Sequence, residues 1–428
     1  MLKKFLMSSI AIILTLALLT ACGGGNGGGN ADNDGNGDNV GDTGENVTIR
    51  FSLWDQFPQN IIDEFNAVHP NIEIEIVHFP DSDYSQRVNQ MVMGGTAPDV
   101  ILAFEVDLPR FAEAGAILPL DDFLANSDEV DANDFIPAVD QLSEGLGGTY
   151  GLPWAYAAQI LFYNKDLFDE AGVDYPTADW TWEDFEEAAV QLTIVEDGRT
   201  VQWGADALTF RGVWWSLAGQ GGDDILNDGL LDLGDGLRDA LEFQYRLTNE
   251  LGVSPEPEAG DSVADLFASG QAAMARTGSW MTGQYRDLEF NWDIETLPRG
   301  VRGYSSLHTG FYTINAASEH PEEAWKFIEF MMSERGQTLN SEWGNNPSAL
   351  QSIATQGAWQ NAGEFGPTNW EAIERAGAQG AFGYTLLNAS VTTNLVNQFN
   401  AVLLGITSID DIFDRYLPDA NQELENLE

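Results

Sequence analysis

Residues 150–182 constrain the architecture more than any other stretch of this sequence. They contain, in succession, an extended run, an apolar run and the beginnings of two helices. The segment reads YGLPWAYAAQILFYNKDLFDEAGVDYPTADWTW. This pattern predicts an extended run that ends at Pro153, an apolar run over 157–163, a helical turn over 165–171 and a stop at Gly172. Such a piece can carry a chain from one packed unit into another. A chain of 428 residues is also too long for one ordinary core, so we expect two lobes.

Strand and helix patterns alternate ahead of this connection. Residues 47–54 and 70–77 alternate apolar and polar side chains as half-buried strands do, and 60–68 and 84–93 have helical spacing. The apolar run at 100–104 is typical of a buried strand. Strand, helix and strand in succession predict parallel pairing through right-handed crossovers, and therefore α/β architecture.

Several short motifs follow one another in a definite order. They are APDV at 97–100, GAILPLD at 115–121, YGLP at 150–153, YNKDLF at 163–168, LF, G and AAM over 266–274, and GSW at 278–280. In composition and order they resemble the extracellular solute-binding proteins of bacterial ABC importers, of the sugar-binding type. The resemblance covers nearly all of 47–428. It implies a type II periplasmic-binding-protein-like α/β fold, in which hinge strands join two α/β lobes and a ligand cleft lies between them.

The resemblance also divides the chain. It implies a lipoprotein signal peptide and lipobox at 1–22, a flexible linker at 23–46, a first lobe from 47–155 and 305–342, and a second lobe from 156–304 and 343–428. The hinge strands are then expected near 153–158, 308–312 and 342–346.

The N-terminus indicates the compartment. Lys3 and Lys4 precede an apolar run over 5–19 that is short for a membrane span, and Leu-Thr-Ala-Cys follows at 19–22. This resembles a bacterial lipoprotein signal, which implies that Cys22 becomes the lipidated N-terminus and anchors the protein to the outer face of the cell membrane. A plain secretory signal or a signal anchor is the alternative. Because Cys22 is the only cysteine, the protein forms no internal disulfide.

The linker at 23–46 is rich in Gly, Asn and Asp and has almost no apolar side chain, so it is expected to be flexible. Within it, 32–37 matches the opening of a calcium-binding loop. The position that should carry the closing glutamate is Thr43, so we interpret the segment as solvated linker.

The charge balance excludes some partners. The sequence has 18 Lys plus Arg against 68 Asp plus Glu, a net charge of −50. Removal of 1–22 takes away two lysines and no acid, which leaves 16 minus 68, or −52. Nucleic acid and anionic lipid surfaces are therefore poor partners. Solubility in a salty or alkaline exterior would explain the charge, and so would an acidic pocket for a cationic ligand.

A sugar presents C–H groups on its faces and hydroxyls at its rim, so aromatic stacking and hydrogen bonds are the expected means of binding it. The chain has 13 Trp and 11 Tyr. Candidate ligand-binding residues lie at predicted strand ends or in the loops that follow: Trp54, Asp55, Glu105, Trp154, Tyr156, Trp214, Trp215, Gly278, Ser279, Trp280, Trp343 and Asn345. Each aromatic residue could instead pack in a core. Gly278 and Ser279 are small enough to let backbone approach a ligand.

Other chemistries have little support in the sequence. The four histidines lack metal-ligand spacing, and neither a metal nor a cofactor is expected. No Gly-x-Ser-x-Gly elbow, Walker loop or clean dinucleotide fingerprint occurs. With 68 acids, a carboxylate pair for glycoside hydrolysis stays arguable.

The resemblance therefore implies a monomeric, non-enzymatic lipoprotein that captures a mono- or oligosaccharide and delivers it to an ABC permease. Two alternatives stay open. One is the same fold with a polyamine or another small solute as ligand, and the other is a secreted glycoside hydrolase.

Overall fold

The computed structural model describes residues 46–127, 129–136, 146–208, 211–227, 229–257, 265–344, 346–361, 363–382 and 388–426. The predicted signal peptide, Cys22 and nearly all of the predicted linker lie outside these residues. The strands are β1 (Val47–Leu53), β2 (Ile72–His78), β3 (Val100–Phe104), β4 (Leu152–Pro153), β5 (Ala157–Asn164), β6 (Ile194–Glu196), β7 (Arg199–Gln202), β8 (Ile225–Asn227), β9 (Leu230–Asp232), β10 (Met274–Gly278), β11 (Trp292–Thr296), β12 (Ser305–His308), β13 (Gly310–Ile314) and β14 (Gly380–Ala381).

The helices alternate with these strands along most of the chain. They are α1 (Gln59–Val68), α2 (Asp81–Met93), α3 (Leu108–Glu113), α4 (Asp121–Ala125), α5 (Lys165–Ala171), α6 (Trp182–Leu192), α7 (Arg211–Gln220), α8 (Asp235–Tyr245), α9 (Met281–Gln284), α10 (Pro321–Met332), α11 (Glu334–Gly344), α12 (Gln351–Ala354), α13 (Glu371–Ala378), α14 (Ala389–Leu403), α15 (Ile409–Asp411) and α16 (Leu417–Glu425).

The first lobe is built on a five-stranded sheet in the order β2-β1-β3-β13-β4. β1 pairs in parallel with β2 and β3, whereas β13 runs antiparallel to β3 and β4. The strands and helices predicted over 47–104 are all present, with small shifts at their ends. The predicted α/β architecture is therefore confirmed.

The second lobe is built on a sheet in the order β10-β5-β12-β14, with β11 also paired to β5. All eight residues of β5 are buried, because this strand lies at the centre of the sheet. The apolar run predicted over 157–163 is this strand. Helix α5 begins at the Asn164 side chain, which accepts a hydrogen bond from Leu167 N, and ends at Gly172 with a left-handed φ of 68°.

The chain passes between the two sheets along two neighbouring segments. One passage is the stretch 154–156 between β4 and β5, and the other is Thr309 between β12 and β13. The two are hydrogen-bonded to each other, since Trp154 N donates to Gly310 O at 3.0 Å and Thr309 Oγ1 donates to Ala155 O. Both passages lie inside segments for which hinge strands were predicted.

The predicted lobe boundaries differ from the structure at two points. Residues 305–308, assigned to the first lobe, form β12 of the second sheet, where the small side chains of Ala157 and Ala158 pair with it. Residues 349–352, assigned to the second lobe, stay bonded to the first. Ala349 O accepts from Ile136 N at 3.0 Å, and Gln351 Nε2 donates to Phe135 O at 2.8 Å. The chain thus still contacts the first lobe after the segment 342–346, in which the third hinge strand was predicted.

An arginine and an aspartate face each other inside the second lobe. The guanidinium of Arg276 on β10 is 1% exposed and lies over the ring of Phe185 at 4.8 Å, with Nε 3.9 Å from Oδ1 of Asp206. Burial raises the pKa of Asp206 to about 7, against the opposing influence of the Arg276 charge. The folded protein therefore holds this proton at pH values at which the unfolded chain releases it.

This shift predicts a pH-dependent contribution to stability. The folded pKa of Asp206 lies above the usual 3.8, so its contribution is complete below pH 4 and is lost as the pH rises towards 7. The unfolding free energy of Asp206→Asn minus that of wild type should therefore rise by about 2 kcal/mol from pH 5 to pH 8. Urea titrations across this range measure the difference. Asp411→Asn is the control, since hydrogen bonds from Ser408 lower the Asp411 pKa and place its window below this range. If the difference in unfolding free energy between Asp206→Asn and wild type does not change with pH, the raised pKa of Asp206 is contradicted.

Candidate functional site

Strand ends of the first sheet bring aromatic side chains together. β1 and β3 are parallel, so their carboxyl ends lie at one edge, where open α/β sheets commonly bind ligands. Trp54 directly follows β1 and stacks on Phe104, the last residue of β3, with centroids 4.1 Å apart and planes 18° apart. The indole is half-buried. The stack fixes Trp54 at the carboxyl edge of the sheet.

Two further tryptophans extend this stack into an aromatic cluster. Trp154 follows β4 and meets the ring of Trp54 edge-on at 5.9 Å. Trp343, at the end of α11, meets Trp154 at 5.6 Å and Phe57 at 5.5 Å. We call Trp54, Phe104, Trp154 and Trp343 the aromatic cluster. Trp154 and Trp343 are also half-buried, so part of each ring stays accessible.

A polar pair lies beside the aromatic cluster, where the chain passes between the lobes. Glu105 follows Phe104, and His308 is the last residue of β12. Oε1 of Glu105 lies 3.0 Å from Nδ1 of His308, and the two residues are only 4% and 8% exposed. Trp280, which follows β10, meets the imidazole edge-on at 5.4 Å. A continuous line of contacts thus runs from Trp54 in the first lobe to Trp280 in the second.

Gly278 and Ser279 have roles other than the predicted contact with a ligand. A Cβ on Gly278 would lie 2.0 Å from Cζ3 of Trp280, so the indole itself occupies the space over this glycine. Ser279 is fully buried, and its Oγ accepts from Ala158 N at 3.2 Å and donates to Asn346 Oδ1 at 3.3 Å. Ser279 therefore joins the start of β5 to the segment that follows α11.

The structure also corrects the interpretation of Trp214 and Trp215. Both side chains are fully buried on α7 and belong to a hydrophobic cluster of the second lobe. Trp214 packs against Phe399 at 5.6 Å, and its Nε1 donates to Asn400 Oδ1 at 3.1 Å. A ligand has no access to either ring, because helices cover both.

The remaining candidates have differing environments. Tyr156 is buried beside Gly377, and burial, followed by the charge of Glu374, raises its pKa. Its phenol therefore stays neutral. Asp55 is exposed, and its Oδ1 accepts from Gln56 N at 2.7 Å. Asn345 lies outside the described residues.

A sequence model of the family described as bacterial extracellular solute-binding protein matches residues 52–338. The chain belongs to this family. The resemblance inferred from the ordered motifs is therefore confirmed. The matched region of this solute-binding protein includes Trp54, Glu105, Trp154, Trp280 and His308.

Curated relatives of this solute-binding protein are distant. A lactose-binding protein of Rhizobium radiobacter is 25% identical over 370 residues, which are 82% of this chain and 85% of that protein. A binding protein of Brucella abortus is 26% identical over 281 residues, which are 62% of this chain and 66% of that protein. The latter alignment thus spans just under two thirds of the relative.

A solved structure shows the same fold. The ABC substrate-binding protein from Listeria monocytogenes in complex with cycloalternan has a TM-score of 0.78 and 22% identity, and the match covers 90% of this chain and 99% of that one. This likeness confirms the two-lobed periplasmic-binding-protein-like α/β fold of the solute-binding protein.

Metal-binding clusters and membrane-spanning helices are both absent from the described residues. In the parts of the chain that the structure describes, no group of three or more His, Cys, Asp or Glu side chains could hold a metal ion. Among the helices of the same residues, none has the length and apolar character needed to span a bilayer.

Sequence reasoning missed three residues of this site. Phe104 was interpreted only as part of a buried strand. His308 was named only as the start of a predicted hinge strand and as one of four histidines that lack metal-ligand spacing. Gly310, which pairs with Phe104, was not singled out. The position of Phe104 at a strand end, next to Glu105, was the one signal in the sequence that could have indicated it.

Proposed function

We propose that this protein is an extracytoplasmic lipoprotein that captures a carbohydrate between its two lobes and delivers it to the permease of an ABC importer. One observation carries the proposal. Half-buried tryptophans lie near the Glu105–His308 pair in both lobes: Trp54 stacks on Phe104, the chain neighbour of Glu105, and Trp280 contacts His308. Indole rings suit the C–H faces of a sugar, and a carboxylate–imidazole pair suits its hydroxyls.

The position of the pair supports a binding role that is coupled to lobe movement. Glu105 directly follows β3 of the first sheet and His308 ends β12 of the second, and the chain passes between the lobes at Thr309. A ligand that touches both sides stabilises the closed arrangement by bridging it. We assign no covalent chemistry to this chain. It would act as a monomer, and ATP hydrolysis would belong to other subunits.

The relatives support carbohydrate as the ligand class. One is named for lactose, and the Listeria structure contains cycloalternan. Side-chain placement in the site decides the length and linkage of the sugar that this chain binds.

A thermal-shift panel tests the proposal. The protein from Gly23 onward is melted with glucose, lactose, maltotriose and cycloalternan, and with spermidine and glutamate as controls. A ligand that binds only the native state raises the midpoint by mass action. We expect a rise with at least one sugar and none with spermidine. A shift with spermidine alone would indicate a cationic ligand instead of a sugar. Slow hydrolysis of maltotriose would indicate a glycoside hydrolase instead of a binding protein.

Lipid anchoring is a separate part of the proposal, and it rests on the signal-like sequence that ends at Cys22. We expect cells that express the full chain to incorporate labelled palmitate into it and to retain it in the membrane fraction. Cys22→Ser should abolish both labelling and retention. Membrane retention of Cys22→Ser without label would indicate an uncleaved signal anchor instead.

A further inference from the structure

We infer that Gly310 is a positioning residue for ligand binding, because its missing side chain leaves the space in which the indole of Trp54 lies. The inference rests on the proposed function, in which Trp54 contacts the sugar. A Cβ on Gly310 would lie 2.4 Å from Cη2 of Trp54 and 3.2 Å from both Cδ1 of Trp154 and Cγ of Leu102. Carbon atoms in contact need roughly 1 Å more than the first of these distances.

The indole of Trp54 cannot yield that space freely. Phe104 covers one face of it at 4.1 Å, and Tyr84 and Trp154 meet it edge-on at 5.4 Å and 5.9 Å. Tyr84 is itself 1% exposed, and its hydroxyl donates to Ser52 O at 3.0 Å. A methyl group at position 310 must therefore displace the indole from its stack, which moves the surface offered to a ligand.

Space, rather than backbone conformation, explains the glycine. The φ of Gly310 lies outside the left-handed region, so other residues could adopt its backbone conformation. The second lobe has the same arrangement, since Gly278 lies under the indole of Trp280. Trp54 and Trp280 thus both lie against a glycine.

A measurement without ligand tests the positioning directly. The protein is labelled with 5-fluorotryptophan, and Trp54→Phe assigns the Trp54 resonance by its disappearance. Gly310→Ala should move this resonance by more than its linewidth and leave that of Trp182 in place. The matched control is Gly219→Ala, whose Cβ would lie 2.4 Å from Cδ1 of Tyr304. It should leave the Trp54 resonance unchanged. An unmoved Trp54 resonance in Gly310→Ala overturns the inference.

A second measurement connects the position of the indole to binding. With whichever of lactose, maltotriose and cycloalternan raises the melting midpoint, Gly310→Ala should lower affinity about tenfold, since a displaced stacking surface loses part of its contact. Gly219→Ala should not change it. In a Trp54→Ala background, Gly310→Ala should have no further effect. An equal loss in that background overturns the inference, because no indole is then left to displace.

Melting midpoints of the same variants show whether Gly310→Ala loses stability through its clash with Trp54. Phenylalanine lacks the far ring that carries Cη2, so Gly310→Ala should lower the melting midpoint less in a Trp54→Phe background than in wild type. An equal loss in both backgrounds shows that the methyl group clashes elsewhere and overturns the inference. If none of the sugars binds, the proposed ligand class fails. The fluorine spectra still decide whether Gly310 positions Trp54.

Discussion

Trp54→Ala is expected to weaken sugar binding about 30-fold, a loss of ~2 kcal/mol, which is typical of a central aromatic contact. The reason is its position, since Trp54 is half-buried at the carboxyl edge of the first sheet and one face is stacked on Phe104. Isothermal titration calorimetry, with the panel sugar that gives the largest thermal shift, measures the change.

The chain provides a matched control for this substitution. Trp182 is also half-buried and also stacked on a phenylalanine, Phe243, with centroids 5.0 Å apart and planes 8° apart. Its Nε1 donates to Gln220 at 2.9 Å, within the second lobe. Trp182→Ala removes a similar packing contact, so it should lower stability and leave affinity unchanged. Equal affinity losses in the two variants would indicate general loosening, and an unchanged affinity in Trp54→Ala would make Trp54 a packing residue.

The aromatic cluster shows how far sequence reasoning extends in this fold. Trp54 could be placed because β1 has a clear alternating pattern and the tryptophan stands where that pattern ends. The carboxyl ends of parallel strands share an edge, so the end of β1 was enough to predict that Trp54 lies at that edge. Only the structure shows that Trp343, 289 positions further along the chain, completes the group through Trp154.

Trp214 and Trp215 show why the same reasoning fails elsewhere. Both were placed at a predicted strand end or in the loop that follows, yet their segment forms α7, in which nine of ten residues are buried. A helix covered on all sides lacks the amphipathic spacing by which sequence identifies helices. The pairing of Glu105 with His308 was beyond reach for another reason. The two residues lie 203 positions apart, and only the passage between the sheets brings them together.

The second large effect is a loss of stability when a buried ion pair is broken. Its size depends on how buried the carboxylate is, rather than on the distance between the two charged groups. Arg375 on α13 donates to Glu295 on β11 at 2.7 Å, where the carboxylate side chain is 6% exposed and the guanidinium 33%. Glu295 also accepts from Asn369 Nδ2 at 2.9 Å. Arg375→Met leaves a buried carboxylate without its cation, so the free energy of unfolding should fall by about 3 kcal/mol. Urea denaturation at pH 7 measures this loss.

An ion pair of the same length supplies the control. Arg335 lies 2.7 Å from Glu64, but these side chains are 53% and 46% exposed. Water solvates Glu64 when its partner is removed, so Arg335→Met should change stability by no more than the scatter of the measurement. Adding Glu295→Gln to Arg375→Met should recover part of the loss, because the amide needs no counter-ion. Equal losses in the two arginine variants would mean that contact distance, rather than the desolvation of Glu295, sets the strength of the pair that holds α13 against β11.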